Sequence, residues 1–437
     1  MLSFKGGILR YFFLIISLAI LLAVGKFLLA LDSIIDLIHF ACVPFLATYL
    51  LAFRPNQPKN ITSYCVYISV LVLIIATYFI TFSITIPDVR INWLEPAIAL
   101  YFLLSVYVLL WLLDKFINLV NYAIFERTLK NKTAFAVTKA TLRLAVLIFI
   151  VTPYLVALFI THWVKFSDVE NPEGLQDMEY SQVSFSAKDG AELKGWFIYS
   201  DNRISDSTII IVPGKSAAKN LFLSYAKIFS QSNYNVLLFD LRGNGGSSGH
   251  KYSFAVNEVN DVLGAVDYVR DNRPESSNYI FGYGINEGAS ALIGAAAVDE
   301  RFAAVVSDNA CGYEIALPGW LAGHLPGWME KSLLNMTKTF VHIDVGRDIW
   351  GAKGMHQKIS QISPSPVLVA NSIRNNKSSR MKAIELFTNA REPKRLWLAP
   401  TEEDHDTYSQ YFINIIETFD TGKSKQQSGR WRISRSP

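Results

Sequence analysis

Cysteine is scarce. Cys42 and Cys65 fall in hydrophobic segments and Cys311 stands alone in the polar half of the 437-residue chain, so that half can hold neither a disulfide framework nor a Cys-rich zinc site. The scarcity leaves the redox compartment open, because a domain large enough to build its own core does not need disulfides. Charge of one sign is also lacking: 41 Lys and Arg stand against 37 Asp and Glu, for a net +4, and the basic residues after Phe166 are scattered. No basic stripe marks a nucleic-acid groove, and no nucleic-acid partner is expected. Metal-ligand spacing is missing too. His342, Asp344, Asp348 and His356 share one segment, but their intervals match no known cluster. No Gly-x-Gly-x-x-Gly follows a first strand, so nothing calls for a dinucleotide or any other cofactor.

What the chain has in excess is apolar residues, at 51% with a mean hydropathy of +0.24. They crowd into the first third as runs at about 9–31, 34–53, 64–86, 93–113 and 142–164. Each run is near the ~20 residues that cross a hydrocarbon core as a helix. The first exceeds the roughly 7–15 residues of a signal-peptide core and has no small-residue cleavage site after it, so it reads as a retained helix. Residues 1–165 are therefore expected to form a membrane region of about five helices, in contact with membrane lipid, with kinks at Pro44 and Pro153. Lys5, Arg10, Arg54 and Lys59, and then the group from Lys115 to Arg143, occupy alternate sides of these spans. The positive-inside rule then places the N-terminus in the cytoplasm and everything after the fifth span outside it.

Residues 166–179 turn polar, with Pro172 and Gly174, and read as a linker. A domain is expected over 180–420, followed by a polar, basic tail over 421–437. It opens with alternating residues around a Lys188-Asp189-Gly190 turn, a hairpin signal. Unbroken apolar strands follow at 208–212, 236–240, 279–283, 304–307, 367–370 and 395–398. Helix-patterned segments at 217–231, 256–272 and 288–299 lie between them. That alternation implies a mostly parallel sheet with helices on both faces, and such sheets bind ligands at the carboxyl ends of their strands.

Three stretches carry a resemblance. Ile209 to Ser216 is a strand ending in a Gly turn, Phe239 to Gly249 contains Asp-Leu-Arg-Gly-Asn-Gly-Gly-Ser, and Ile280 to Leu292 contains Gly284-Ile-Asn-Glu-Gly288. In this order they resemble the α/β-hydrolase superfamily, most closely its serine-aminopeptidase-like and Bem46-like branch, over about Tyr180 to Phe419. The resemblance implies that the first stretch supplies an oxyanion-hole N–H near Lys215, with a second from Glu287. It also implies that Gly284 to Gly288 is the sharp elbow that normally presents a nucleophilic serine. Here the elbow tip is Asn286.

A carboxamide is not a competent oxygen nucleophile near neutral pH. The turn after 366–370, where the resemblance places the triad acid, offers Asn375, and an amide cannot balance an imidazolium. Asp308 is a substitute acid that some family members use, or simply a turn or helix cap. His405 fits the late histidine, or is an exposed loop residue. Ser290, one turn into the following helix, is read as a packing residue. The leading expectation is a degenerate hydrolase domain that binds a small acyl ligand or a membrane-protein partner. The alternatives are a working serine hydrolase of ester, amide or lipid substrates through His405, Asp308 and a displaced Ser216, and a transporter or assembly factor with an accessory domain. The Trp- and Gly-rich segment 312–359 lies where the family inserts helices over its pocket.

Overall fold

The computed structural model describes residues 115–116, 132–161, 178–215, 217–249, 251–310, 315, 317, 322–345, 354–372, 377–400 and 407–433. The four apolar runs before residue 114 lie outside them. The chain divides into two compact units, Met1–Leu158 with Leu317–Gly346, and Phe159–Ala316 with Arg347–Pro437.

In the first unit, helix α1 (Lys132–Val146) runs through one π-helical turn (Leu147–Val151) into α2 (Thr152–Thr161), whose last three residues belong to the second unit. Helix therefore begins ten residues before the apolar run that starts at 142. Pro153 has no N–H to give the carbonyl of Phe149, and the ladder widens into the π turn just before it. Ala140–Leu158 is the one helix among the described residues long and apolar enough to cross a membrane, with a mean hydropathy of 2.1 over its 19 residues. Its face is studded with exposed Leu144, Leu147, Ile150 and Leu155. The segment expected over the pocket contributes a helix to this same unit. Trp328 stacks on Phe149 at 6.2 Å and Phe340 meets Tyr154 edge-on at 5.5 Å, both from the helix Gly327–Val345.

The second unit is built on one eight-stranded sheet. Its strands are β1 (Tyr180–Ser186), β2 (Glu192–Ile198), β3 (Ser207–Val212), β4 (Asn235–Phe239), β5 (Tyr279–Ile285), β6 (Phe302–Asp308), β7 (Val367–Asn371) and β8 (Lys394–Leu398). They lie in the order β1-β2-β4-β3-β5-β6-β7-β8, antiparallel at β1-β2 and β2-β4 and parallel from β4 to β8. The hairpin turns at Gly190, whose φ of +90° is strained for any residue with a Cβ.

Strands β3 to β6 are buried at every position, which is why they read as unbroken apolar runs. The other described α-helices are α3 (Leu223–Gln231), α4 (Glu258–Asn272), α5 (Glu287–Ala296), α6 (Gly327–Val345), α7 (Met355–Ile359), α8 (Lys377–Asn389) and α9 (Thr407–Ile433). Alternation along the strands divides the core. Ile210, Val212, Leu237 and Phe239 pack with Val266 of α4 and Leu292 of α5. Ile209, Ile211, Leu238 and Phe281 pack on the other face with Phe229 of α3 and Phe419 of α9. Each such large apolar side chain contributes about 1.5–3 kcal/mol by burial.

Candidate functional site

The carboxyl ends of β3, β5 and β6 converge on one turn. Between β5 and α5 the backbone reverses at Asn286, held at φ 53° and ψ −119°. A non-glycine residue at positive φ is costly and persists only where its surroundings over-determine it. Here they do. The Asn286 N–H donates to the Asp308 carbonyl at the end of β6 (2.9 Å), and α5 starts at the next residue. No Cβ fits at either flanking glycine: one on Gly284 would lie 2.6 Å from the Cα of Ala289, and one on Gly288 would lie 2.2 Å from the Val212 carbonyl oxygen. A strand, a strained one-residue elbow and a helix pressed on the end of the neighbouring strand are the geometry that presents a single side chain above a parallel sheet.

The domain has the α/β-hydrolase fold. The strand order and the elbow carry that statement, and the residue presented is Asn286. No family model matches the chain. Among curated proteins, YfhR of Escherichia coli strain K12 is 25% identical over 232 residues, 52% of this chain and 74% of its own. The polyketide transferase grgF of Penicillium sp. is 30% identical over 130 residues, 29% of this chain and 44% of its own. Among solved structures, the Pyrococcus furiosus esterase Pf2001 aligns at 20% identity with a TM-score of 0.44, over 60% of this chain and 97% of its own.

In this α/β-hydrolase domain the turn after β3 departs from the expectation for Lys215. Its backbone N–H donates to Oε2 of Glu287 at 3.0 Å. The donor expected to stabilise an oxyanion is thus taken up by a carboxylate fixed at the first residue of α5, where the helix dipole favours negative charge. Gly214 makes room for this contact, since a Cβ there would sit 3.0 Å from the same oxygen. The Lys215 ammonium points elsewhere. Nζ donates to the Ile160 carbonyl at 2.7 Å and lies 4.8 Å from the centroid of the Tyr252 ring. Burial lowers its pKa, and Glu287 and Glu258 pull it back upward. A small cleft runs from this side chain past Arg242, Asn244, Lys251, Tyr252 and Glu258.

Asp308 is placed by strand parity on the face of Ala304 and Val306, towards α9. Its carboxyl accepts from the Tyr411 hydroxyl at 2.8 Å and from the Ser372 N–H at 3.0 Å, and the Tyr283 hydroxyl lies 2.8 Å from that of Tyr411. Burial raises its pKa, which the bonds from Tyr411 and Ser372 only partly offset. The structure thus ties Asp308 into a buried tyrosine chain. His405, Asn375 and Ser216 lie outside the described residues; His405 falls in the connection from β8 to α9, and Asn375 in the one from β7 to α8.

The Asp-Leu-Arg-Gly stretch proves to be a scaffold. The Asp240 carboxylate, wholly buried, accepts from the Lys219 ammonium (2.7 Å), the Lys219 N–H (2.8 Å) and the Gly246 N–H (3.1 Å). Arg242 forks onto Asp189 (2.9 and 2.6 Å) and reaches Asp261 with Nε at 2.8 Å. Burial pushes the Asp261 carboxyl up to about 7 against the pull of these bonds. Together they fix the β4 turn beside the elbow.

Proposed function

We propose that the chain is a membrane-anchored α/β-hydrolase-like protein, of the serine-aminopeptidase-like or Bem46-like branch, whose extracytoplasmic domain binds a ligand or a membrane-protein partner without turning it over. The observation that carries this reading is Asn286 at the elbow tip. A carboxamide there supplies no activated oxygen to attack an acyl carbon. The Glu287 carboxylate on the Lys215 N–H supports the same conclusion, because a negative charge already stands where an oxyanion would develop.

The unmodified protein, in its membrane, is expected to remain unlabelled by fluorophosphonate probes. Asn286→Ser alone is expected to label at least about 100-fold more slowly than Asn286→Ser combined with Glu287→Ala and Asn375→Asp, the cost of a lost oxyanion donor being about 10²–10³. Stoichiometric labelling of the unmodified protein at Ser216 or any other serine, abolished by His405→Ala, would falsify the non-catalytic reading.

The apolar runs and the exposed apolar side chains of Ala140–Leu158 support the anchor. The alternation of basic loops supports a cytoplasmic N-terminus and 114–143 loop, with Tyr180 onward outside. Cysteines introduced at exposed Ile204 and Val298 are expected to react with an impermeant maleimide in intact cells. Protection of both until lysis sinks the assignment.

A further inference from the structure

We infer that the far end of α9 is a docking surface for a second, anionic phospholipid bilayer, opposed to the one that holds the apolar helix. This rests on the reading of the chain as membrane-anchored. Residues 421–437 contain Lys423, Lys425, Arg430, Arg432 and Arg435 and no Asp or Glu, and Trp431 and Ile433 alternate with the arginines. Cations interleaved with an aromatic and an aliphatic residue suit a lipid headgroup layer, whose phosphates attract the charges and whose acyl boundary takes the apolar groups. The stretch is helical, because α9 runs unbroken from Thr407 to Ile433. A helical end of this length is marginal in water, and with no acid after Asp420 it gains no i,i+4 ion pair of its own. An anionic surface supplies the missing counter-charge.

The course of α9 decides which surface this end can meet. Tyr411 reaches Asp308 at the carboxyl end of β6, and Phe419 stacks on Phe281 of β5 with ring centroids 4.6 Å apart. A Cβ on Gly422 would lie 2.4 Å from the Ala303 carbonyl oxygen, and the Lys423 ammonium lies 4.5 Å from the centroid of the Tyr234 ring, beside the starts of β6 and β4. The helix thus runs antiparallel to the parallel strands, from their carboxyl ends to their amino ends. Lys423 is held there, with Asp206 and Asp420 acting on it, whereas Ser424, Lys425, Gln427 and Ser428 are exposed. From Lys423 to Ile433 the helix advances about 15 Å further. The apolar helix joins the domain at the other end. Its last carbonyls, those of Ile160 and Thr161, receive the Lys215 ammonium and the Tyr252 N–H, and Lys215 follows the carboxyl end of β3. The seven residues of β5 span roughly 20 Å between the two ends of the sheet. The basic end leaves the domain opposite the entry of the apolar helix, which suits its charges to a surface other than the bilayer of origin.

The test is vesicle capture by the full chain reconstituted in phosphatidylcholine liposomes, with separately labelled acceptor vesicles of phosphatidylglycerol or of phosphatidylcholine. Phosphatidylglycerol acceptors are expected to be captured at least about tenfold more than phosphatidylcholine acceptors, since each cation near an anionic surface adds to the attraction. Raising the salt to about 0.5 M is expected to remove the difference by screening. Lys425→Gln, Arg430→Gln and Arg432→Gln together are expected to abolish it and to leave the thermal melt unchanged, because all three follow the packed Lys423. Equal capture of both acceptors overturns the inference, as does a preference untouched by the triple substitution. Absence of capture, the result of a basic end that lies on its own bilayer, overturns it too. Resistance of the chain to carbonate extraction from its own liposomes reports separately on the anchor. Failure of docking is thereby told apart from failure of the membrane-anchored reading.

Discussion

Gly288→Ala is expected to cost more than about 4 kcal/mol and to leave little native domain. A Cβ at this position would lie 2.2 Å from the carbonyl oxygen of Val212 and 2.3 Å from that of Pro213, both backbone atoms at the end of β3. Backbone at such distances cannot rotate away as a long side chain does. Val212 is in register with Gly284 across the β3-β5 ladder, so pulling β3 back breaks sheet pairing, and pushing α5 out opens the contact that buries Ala291 and Leu292. Gly354→Ala is the matched control, because nothing lies within 4 Å of a Cβ there and its φ is an ordinary −51°. Near-UV circular dichroism melts should show the control within about 1 °C of the unmodified protein, and Gly288→Ala lower by about 8–16 °C or without a cooperative transition. A Gly288→Ala melt indistinguishable from the control would mean that α5 does not press on β3 as described.

Lys219→Met is expected to cost about 3–5 kcal/mol, because it strands the Asp240 carboxylate in the core. The Lys219 side chain is 3% exposed and that of Asp240 is 0% exposed, and the ammonium also lies 4.5 Å from the centroid of the Trp196 ring. Two backbone N–H groups still reach Asp240 after the substitution, but neither carries a full charge. Adding Asp240→Asn neutralises the stranded group and keeps an oxygen for one of those donors, which reach different carboxylate oxygens. The double variant should therefore be more stable than Lys219→Met alone by about 1–3 kcal/mol, a coupling visible in a double-mutant cycle of urea melts. If Lys219→Met costs under about 1 kcal/mol and the second change brings nothing back, the pair is not the buried tie inferred from its geometry.

Much of the sheet is legible in the sequence because burial on both faces leaves no choice of residue. The expected strands at 208–212, 236–240 and 367–370 fall within a residue or so of β3, β4 and β7. The elbow is equally legible, since Gly284 and Gly288 bracket Asn286 at the spacing its steric demands impose. What sequence does not display is the direction of a side chain that bonds across long separations. Glu287 and Lys215 are 72 positions apart, with two strands and two α-helices between them, and only tertiary packing brings them together. Lys219 falls early in the helix-patterned segment 217–231, and nothing in that pattern reveals the Asp240 carboxylate that its ammonium meets. Asp308 is a different case. Its position two residues beyond Val306 places it on the α9 face by parity alone, which was available from the strand once its register was known.

The Ile160 carbonyl that receives Lys215, and the Thr161 carbonyl that receives the Tyr252 N–H at 2.9 Å, are the last acceptors of a helix that begins in the apolar segment. A fragment cut within the linker, as proteolysis or secretion of the domain alone would produce, loses both carbonyls at one stroke. The turn bearing Lys215 would then have to find new acceptors or rearrange, and Glu287 hangs on that same turn. Fragments that begin in the linker are therefore unsafe proxies for the intact chain: the cut changes the hydrogen bonding of the turn that bears Lys215 without changing a single residue of that turn.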